Sequence, residues 1–213
     1  QSINGRHTDT YPNPEDYDLM FVFGGSQHVW DKASDPWLTD EIRFVSHALA
    51  SGKPVIGFCL GSQIISEALG GRVFQSATKE TGFYQINIKT EGETTLMKGL
   101  PNPFRSLLLH SDHYTLPTGC ICEAFTPASP NQAFYSEVAP AVGFQFHPEY
   151  TKEKVRYFLE VIPDGWHIES GPCSREAVLQ SLDSRPDTIG LFQILIENAI
   201  RLFNDRFHLE LKS

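Results

Sequence analysis

Two short segments hold residue types that can do covalent chemistry together. The first is Lys53-Pro-Val-Ile-Gly57-Phe-Cys59-Leu60-Gly61-Ser-Gln63. It reads as a buried strand over Pro54–Phe58, a sharp turn through Gly57–Gly61, and a helix over Ser62–Leu69 stopped by Gly70-Gly71. A G-x-C-x-G turn between strand and helix is the cysteine form of the nucleophile elbow. Glycines flank the tip because its backbone is strained and bulky neighbours would collide there. The helix N-terminus carries partial positive charge and unpaired N–H groups, which suits a sulfur anion at Cys59. The N–H of Leu60 is placed to donate to an oxyanion. A cysteine between two glycines is, taken alone, as well explained by simple burial. The strand before it and the helix after it favour the nucleophile.

A thiolate nucleophile needs a base, and the base needs an orienting group. Ala141-Val-Gly-Phe-Gln-Phe-His147-Pro-Glu149 supplies both. Val142–Phe146 predicts a buried strand, with His147 and Glu149 following its C-terminal end. Residues two apart in an extended segment point to one side. Pro148 keeps His147 extended. The Glu149 carboxylate can then lie beside the imidazole and fix its tautomer. Both segments put their reactive groups at C-terminal strand ends, where open α/β sheets bind ligands.

The elements that must position these groups follow from bulk properties and periodicity. A chain of 213 residues with 40% hydrophobic content predicts a single domain with an ample core. A net charge of −9 without a basic run argues against nucleic acid and against an anionic membrane surface. No apolar run reaches membrane-spanning length, and no signal-peptide pattern opens the sequence. Cysteines at 59, 120, 122 and 173 suit a reduced, cytoplasmic protein better than a disulfide framework.

Gln1–Asp16 reads as loop, Leu19–Phe23 as an apolar strand ending at Gly24-Gly25, and Trp37–Ala50 as an amphipathic helix. Short strands are expected at Arg72–Gln75 and Thr81–Thr90, then at Phe104–His110, Cys120–Phe125, Gln132–Ser136 and Ala141–Phe146. Helices are expected at Thr151–Val161, ended by Pro163-Asp-Gly165, at Ser174–Leu182, and from Asp187 or Thr188 to Asn204. The last helix reads as docking on the domain's own sheet. Trp30 reads as a loop residue packing on the core. The pattern as a whole predicts an α/β fold: an open, mostly parallel sheet with helices on both faces and a small antiparallel section.

Three motifs in order carry a resemblance to a known family. Gly57-Phe-Cys59-Leu-Gly61-Ser-Gln63 and Gly143-Phe-Gln-Phe-His147-Pro-Glu149 resemble the class I glutamine amidotransferases and their Cys-His-Glu triad. Asp18-Leu-Met-Phe-Val-Phe-Gly24-Gly25-Ser26 resembles that family's strand ending in a glycine pair. The resemblance runs from about Tyr17 to about Val161, leaving 166–213 as a helical extension. It looks closest to the stand-alone GMP-synthase-like domains, with γ-glutamyl peptidases of the same flavodoxin-like fold nearby.

The resemblance implies Cys59, His147 and Glu149 as the triad, and the N–H groups of Gly25 and Leu60 as the oxyanion hole. It implies substrate contacts from Gln63 and from the Gly82-Phe83-Tyr84 backbone, with His110 and Asp112 holding the substrate's α-amino and carboxylate groups. The implied reaction is hydrolysis of the glutamine γ-amide through a thioester, releasing ammonia for an acceptor on a separate synthetase partner. A γ-glutamyl peptidase is the alternative within the enzyme class, and a non-catalytic metabolite- or partner-binding relative the alternative outside it. The sequence also departs from the family: the opening strand–helix unit, roughly 30 residues, is not in it, and native residues are expected to precede Gln1.

His110-Ser-Asp112-His113 carries ligand types of the facial-triad sort. No second cluster has metal spacing, and the chemistry needs no metal, so neither metal nor other cofactor is expected.

Overall fold

The computed structural model describes residues 1–8, 10–89, 95–161, 175–182 and 189–212. The helix stop at Pro163–Gly165, the caps at Ser174 and Asp187 or Thr188, Thr90 and Cys173 lie outside the described residues.

Among the described residues, seven strands form one sheet: β1 (Met20–Val22), β2 (Val55–Phe58), β3 (Val73–Ile88), β4 (Phe104–Tyr114), β5 (Cys120–Phe125), β6 (Ala133–Ser136) and β7 (Ala141–Phe144). The helices are α1 (Trp37–Ala50), α2 (Leu60–Ala68), α3 (Lys152–Val161), α4 (Arg175–Leu182) and α5 (Ile189–Phe207). The sheet order is β1-β2-β7-β6-β5-β3-β4. Of these strands only β1, β2 and β7 run parallel, and the remaining neighbours pair antiparallel.

The fold is α/β with helices on both faces, and its antiparallel section is larger than the sequence suggests. The two strands expected at Arg72–Gln75 and Thr81–Thr90 are one long strand, β3. Its register against β4 slips between Gln75↔Asp112 and Glu80↔His110. A slip of this kind kinks the strand without ending it, so the polar run Ser76–Lys79 reads as a break although pairing resumes beyond it. β4 likewise runs through His110–His113, past the point where the sequence ends the strand.

All four residues of β2 are buried, as a strand covered on both faces requires. Val55 packs with α1 and α2 through Leu38, Val45, Leu49, Ile64 and Ile65. Ile56 and Phe58 face the other core, with Phe144, Phe146 and the α5 residues Leu195, Ala199, Leu202 and Phe203. The loop before β4 is clamped to this layer. The buried Glu123 carboxylate accepts from the N–H groups of Thr95, Leu96 and Met97, and Asn198 Nδ2 donates to the carbonyls of Leu96 and Lys98.

β4 is last in the sheet order, yet it touches the middle of the sheet. The N–H of His147 donates to Leu107 O (2.8 Å), and Cys59 Sγ lies 3.7 Å from Leu109 O. The β3–β4 ribbon therefore curls back over the C-terminal ends of β2 and β7. That curl is what turns a strand-end position into a walled site.

Two glycines set the spacing of the elbow. A Cβ on Gly57 would lie 2.5 Å from backbone atoms of Gly61, and a Cβ on Gly61 would lie 2.0 Å from Val22 O. Neither neighbour is a flexible side chain that can swing aside. Gly61→Ala is expected to destabilise the fold by about 2 kcal/mol or more, a fall of roughly 4–8 °C in melting temperature at this size. Gly190 has nothing within 4 Å of an added Cβ and lies in α5, so Gly190→Ala should be neutral or stabilising, by up to about 1 kcal/mol. Thermal melts of the two variants check both.

Candidate active site

Cys59 sits in a conformation that L-residues rarely adopt, with φ 51° and ψ −111°. Strain of this kind costs roughly 1–3 kcal/mol and persists only when the surroundings over-determine it. Here they do. The Cys59 N–H donates to Phe144 O (2.8 Å) on the neighbouring parallel strand. The Cys59 carbonyl accepts from the Ser62 hydroxyl (2.7 Å) and from the N–H groups of Ser62 and Gln63. Strand β7 holds one side of the turn and the first turn of α2 holds the other. The helix begins at Leu60, two residues earlier than the sequence suggests, so the sulfur sits at the N-cap.

His147 lies just beyond β7, buried, and anchored through its backbone to Leu107 of β4. Its Nδ1–H donates to Glu149 Oε1 at 2.7 Å. The ring's other nitrogen is thereby left for Cys59. Tyr150 packs edge-on against the imidazole, ring centroids 4.7 Å apart. Burial disfavours the imidazolium. The charge and hydrogen bond of Cys59 and those of Glu149 outweigh it and raise the His147 pKa to about 10.

Gly24 lies against both Cys59 and His147. A Cβ there would meet His147 Cε1 at 3.1 Å, Cys59 Cβ at 3.4 Å and Cys59 Sγ at 3.9 Å. The motif resemblance singles out Gly25 alone, although a glycine pair at a strand end is the signal that both are needed. A Cβ on Gly25 would lie under 3 Å from Gln27 Oε1 and Leu60 Cδ2, side-chain ends that would have to shift.

The narrow cleft beside the sulfur is lined by Gly25–His28, Cys59, Leu60, Gln63 and Leu109–Asp112. Gln63 is buried, and its Nε2 donates to Gln145 Oε1 at 3.1 Å. Gln145, which this contact brings into the site, carries no signal in the sequence. Asp112 is buried and accepts from His28 Nδ1 at 2.6 Å. His28 is half-exposed at the cleft mouth, and Trp30 packs near it with ring centroids 5.0 Å apart. Trp30 itself is exposed, 43% of it open to solvent, so it packs neither into the core nor into the cleft wall.

Gly82, Phe83 and Tyr84 lie on β3 opposite Leu108, Leu107 and Ser106. Phe83 packs on the cluster of Leu107, Leu109 and Val155, and Tyr84 on the α5-side core; neither is among the cleft-lining residues. His110 and Asp112 do reach the cleft. Glu80, His110 and His113 also bring possible metal-ligand atoms within 4.8 Å of one another, a grouping that exchanges Asp112 for a residue about thirty positions upstream.

Known proteins share both sequence and fold with this chain. The family model for glutamine amidotransferase class I matches residues 3–162. The chain belongs to the class I glutamine amidotransferase family. The match starts well before Tyr17, so the irregular N-terminal stretch belongs to the family region. A putative glutamine amidotransferase-like protein, YfeJ, of Salmonella typhimurium is 32% identical over 154 residues, 70% of this chain and 64% of the relative. A glutamine-hydrolysing GMP synthase subunit from Methanococcus vannielii is 34% identical over 115 residues, 54% of this chain and 60% of the relative. The chain thus spans under two thirds of the length of either relative. A glutamine amidotransferase crystal structure from Thermotoga maritima superposes with a TM-score of 0.76 at 22% identity, covering 92% of this chain and 81% of the other. One from Methylobacillus flagellatus gives 0.74 at 23%, covering 96% and 82%. Among the described residues, no helix is long and apolar enough to cross a membrane.

The raised pKa of His147 has a signed consequence. A histidine raised from 6.5 to about 10 in the folded protein contributes stability that is fully present below about pH 6.5. That stability is lost as pH rises through about 10. The imidazole should stay protonated past pH 8 in an NMR titration of the ring. Cys59→Ala, which removes the strongest of the raising partners, should bring the midpoint down and flatten the loss of stability on the alkaline side.

Proposed function

We propose that the protein hydrolyses the γ-amide of glutamine through a Cys59 thioester. The observation that carries this reading is the conjunction of the strained elbow with a buried His147, hydrogen-bonded to Glu149, beside it. Cys59 sulfur attacks the γ-carbonyl carbon, and the carbonyl electrons move to oxygen. The N–H groups of Gly25 and Leu60 receive that oxyanion. Leu60, at the first position of α2, has an N–H with no intrahelical acceptor to satisfy. Each such donor is worth roughly 3–4 kcal/mol in comparable sites.

His147, protonated beside the sulfur, gives its proton to the departing nitrogen as the tetrahedral intermediate collapses. Ammonia leaves and a thioester remains. His147, now neutral, takes a proton from water, whose oxygen attacks the thioester. Collapse of the second intermediate frees glutamate and restores the ion pair. Glu149 keeps one tautomer throughout and stabilises the imidazolium. Asp112, at the far end of the cleft, is the anionic group suited to the substrate's α-ammonium. Gln63, tethered by Gln145, is suited to its amide end. Released ammonia would pass to a synthetase partner.

The test is ammonia release from glutamine by the full chain, with a γ-glutamyl dipeptide run in parallel. Glutamine turnover abolished by Cys59→Ala and lowered about 10²–10⁴-fold by Glu149→Gln is the expected result. Cleavage of the dipeptide alone would move the leaving group from ammonia to an amino acid. Turnover of neither, with Cys59 inert to a glutamine-like alkylating agent, would overturn the proposal.

A further inference from the structure

We propose that Glu80, His110 and His113 form a buried binding site for a divalent transition metal ion of the zinc type, distinct from the triad. All three residues are more than nine-tenths buried, with 1%, 6% and 7% of their surface exposed. They meet where the β3–β4 register slips, and their ligand atoms lie within 4.8 Å of one another.

The hydrogen bonds of His110 decide its tautomer. Its Nδ1 lies 3.1 Å from the carbonyl oxygen of Asp112. A carbonyl only accepts, so Nδ1 carries the hydrogen. In the neutral ring Nε2 then presents a bare lone pair. Nε2 lies 3.2 Å from Glu80 Oε2, without the alignment of a hydrogen bond. Two electron-rich atoms at that separation, buried, repel unless a cation lies between them. A tetrahedral ion with bonds of 2.0–2.1 Å separates its ligands by about 3.3 Å.

Two further buried atoms of this cluster are unpartnered among the described residues: His113 Nε2 and Gln132 Oε1. His113 supplies the third ligand. Gln132 Nε2 donates to Glu80 Oε2 at 2.9 Å and steadies the carboxylate. The support around the ligands is that of a metal centre, since a ligating histidine usually gives its second N–H to a carbonyl or carboxylate. Two imidazoles and one carboxylate select a borderline ion over magnesium or calcium, which prefer all-oxygen sets. Of the three ligands only His110 also lines the cleft; Glu80 and His113 do not. Through His110 and the Asp112 carbonyl, the ion would fix the strand segment that presents Asp112, so its role is positioning.

The test uses the full chain stripped with a chelator and titrated with Zn²⁺, then with Co²⁺ as a spectroscopic substitute. One equivalent should bind, raise the melting temperature, and persist in Cys59→Ala. The Co²⁺ form should show ligand-field bands without sulfur-to-metal charge transfer. His113→Ala should weaken binding by more than the roughly 10–100-fold that loss of an outer-shell partner costs. It should also lose the thermal shift. Glu80→Gln, which keeps the side-chain shape, serves as a second variant if His113→Ala folds poorly. Absence of stoichiometric binding would overturn the proposal and leave a proton between His110 and Glu80. Binding lost in Cys59→Ala but kept in His113→Ala would overturn it too, by moving the ion to the triad.

Discussion

The strained turn at Cys59 is the constraint on which the rest of this structure depends. A positive φ on a non-glycine residue is unfavourable on its own, and here it is paired with removal of side chains on both flanks. Gly57 and Gly61 let α2 lie directly on the backbone of β1 and β2. The bond from Cys59 N–H to Phe144 O then ties the turn to β7. Because β2 and β7 are parallel and in register at Phe58↔Phe144, His147 emerges at the same sheet edge as the sulfur. Cys59 and His147 are therefore brought together by one pairing, and no loop has to find the other.

Burial and neighbouring charge together set the electrostatics of His147. Taking the imidazolium out of water disfavours it, yet Glu149 and the sulfur reverse the sign. Gly24 lies against the same pair, and a side chain there would meet both His147 and Cys59. The β3–β4 ribbon completes the enclosure. By curling back it supplies the carbonyls of Leu107 and Leu109 to His147 and Cys59 and the carboxylate of Asp112 to the cleft. The same ribbon gathers Glu80, His110 and His113, so one register slip serves both the cleft wall and the proposed metal site.

The sequence by itself determined the strand–turn–helix around Cys59 and the pairing of His147 with Glu149, because both are local. Glycines around Cys59, a strand before and a helix after are visible within eleven residues, and His147-Pro-Glu149 holds its own partner two positions away. The helices on both faces were legible for the same reason: α1 and the start of α2 lie within a residue or two of where periodicity puts them. What only the tertiary structure decided involves long separations. The continuity of β3 through a polar stretch, the reach of β4 back over β2 and β7, and the meeting of Glu80 with His113 depend on strand register, which short-range periodicity does not encode. The same holds for Gly24 against His147 and for Gln145 against Gln63. Side chains brought together by a sheet that curls on itself leave no spacing in the chain to read.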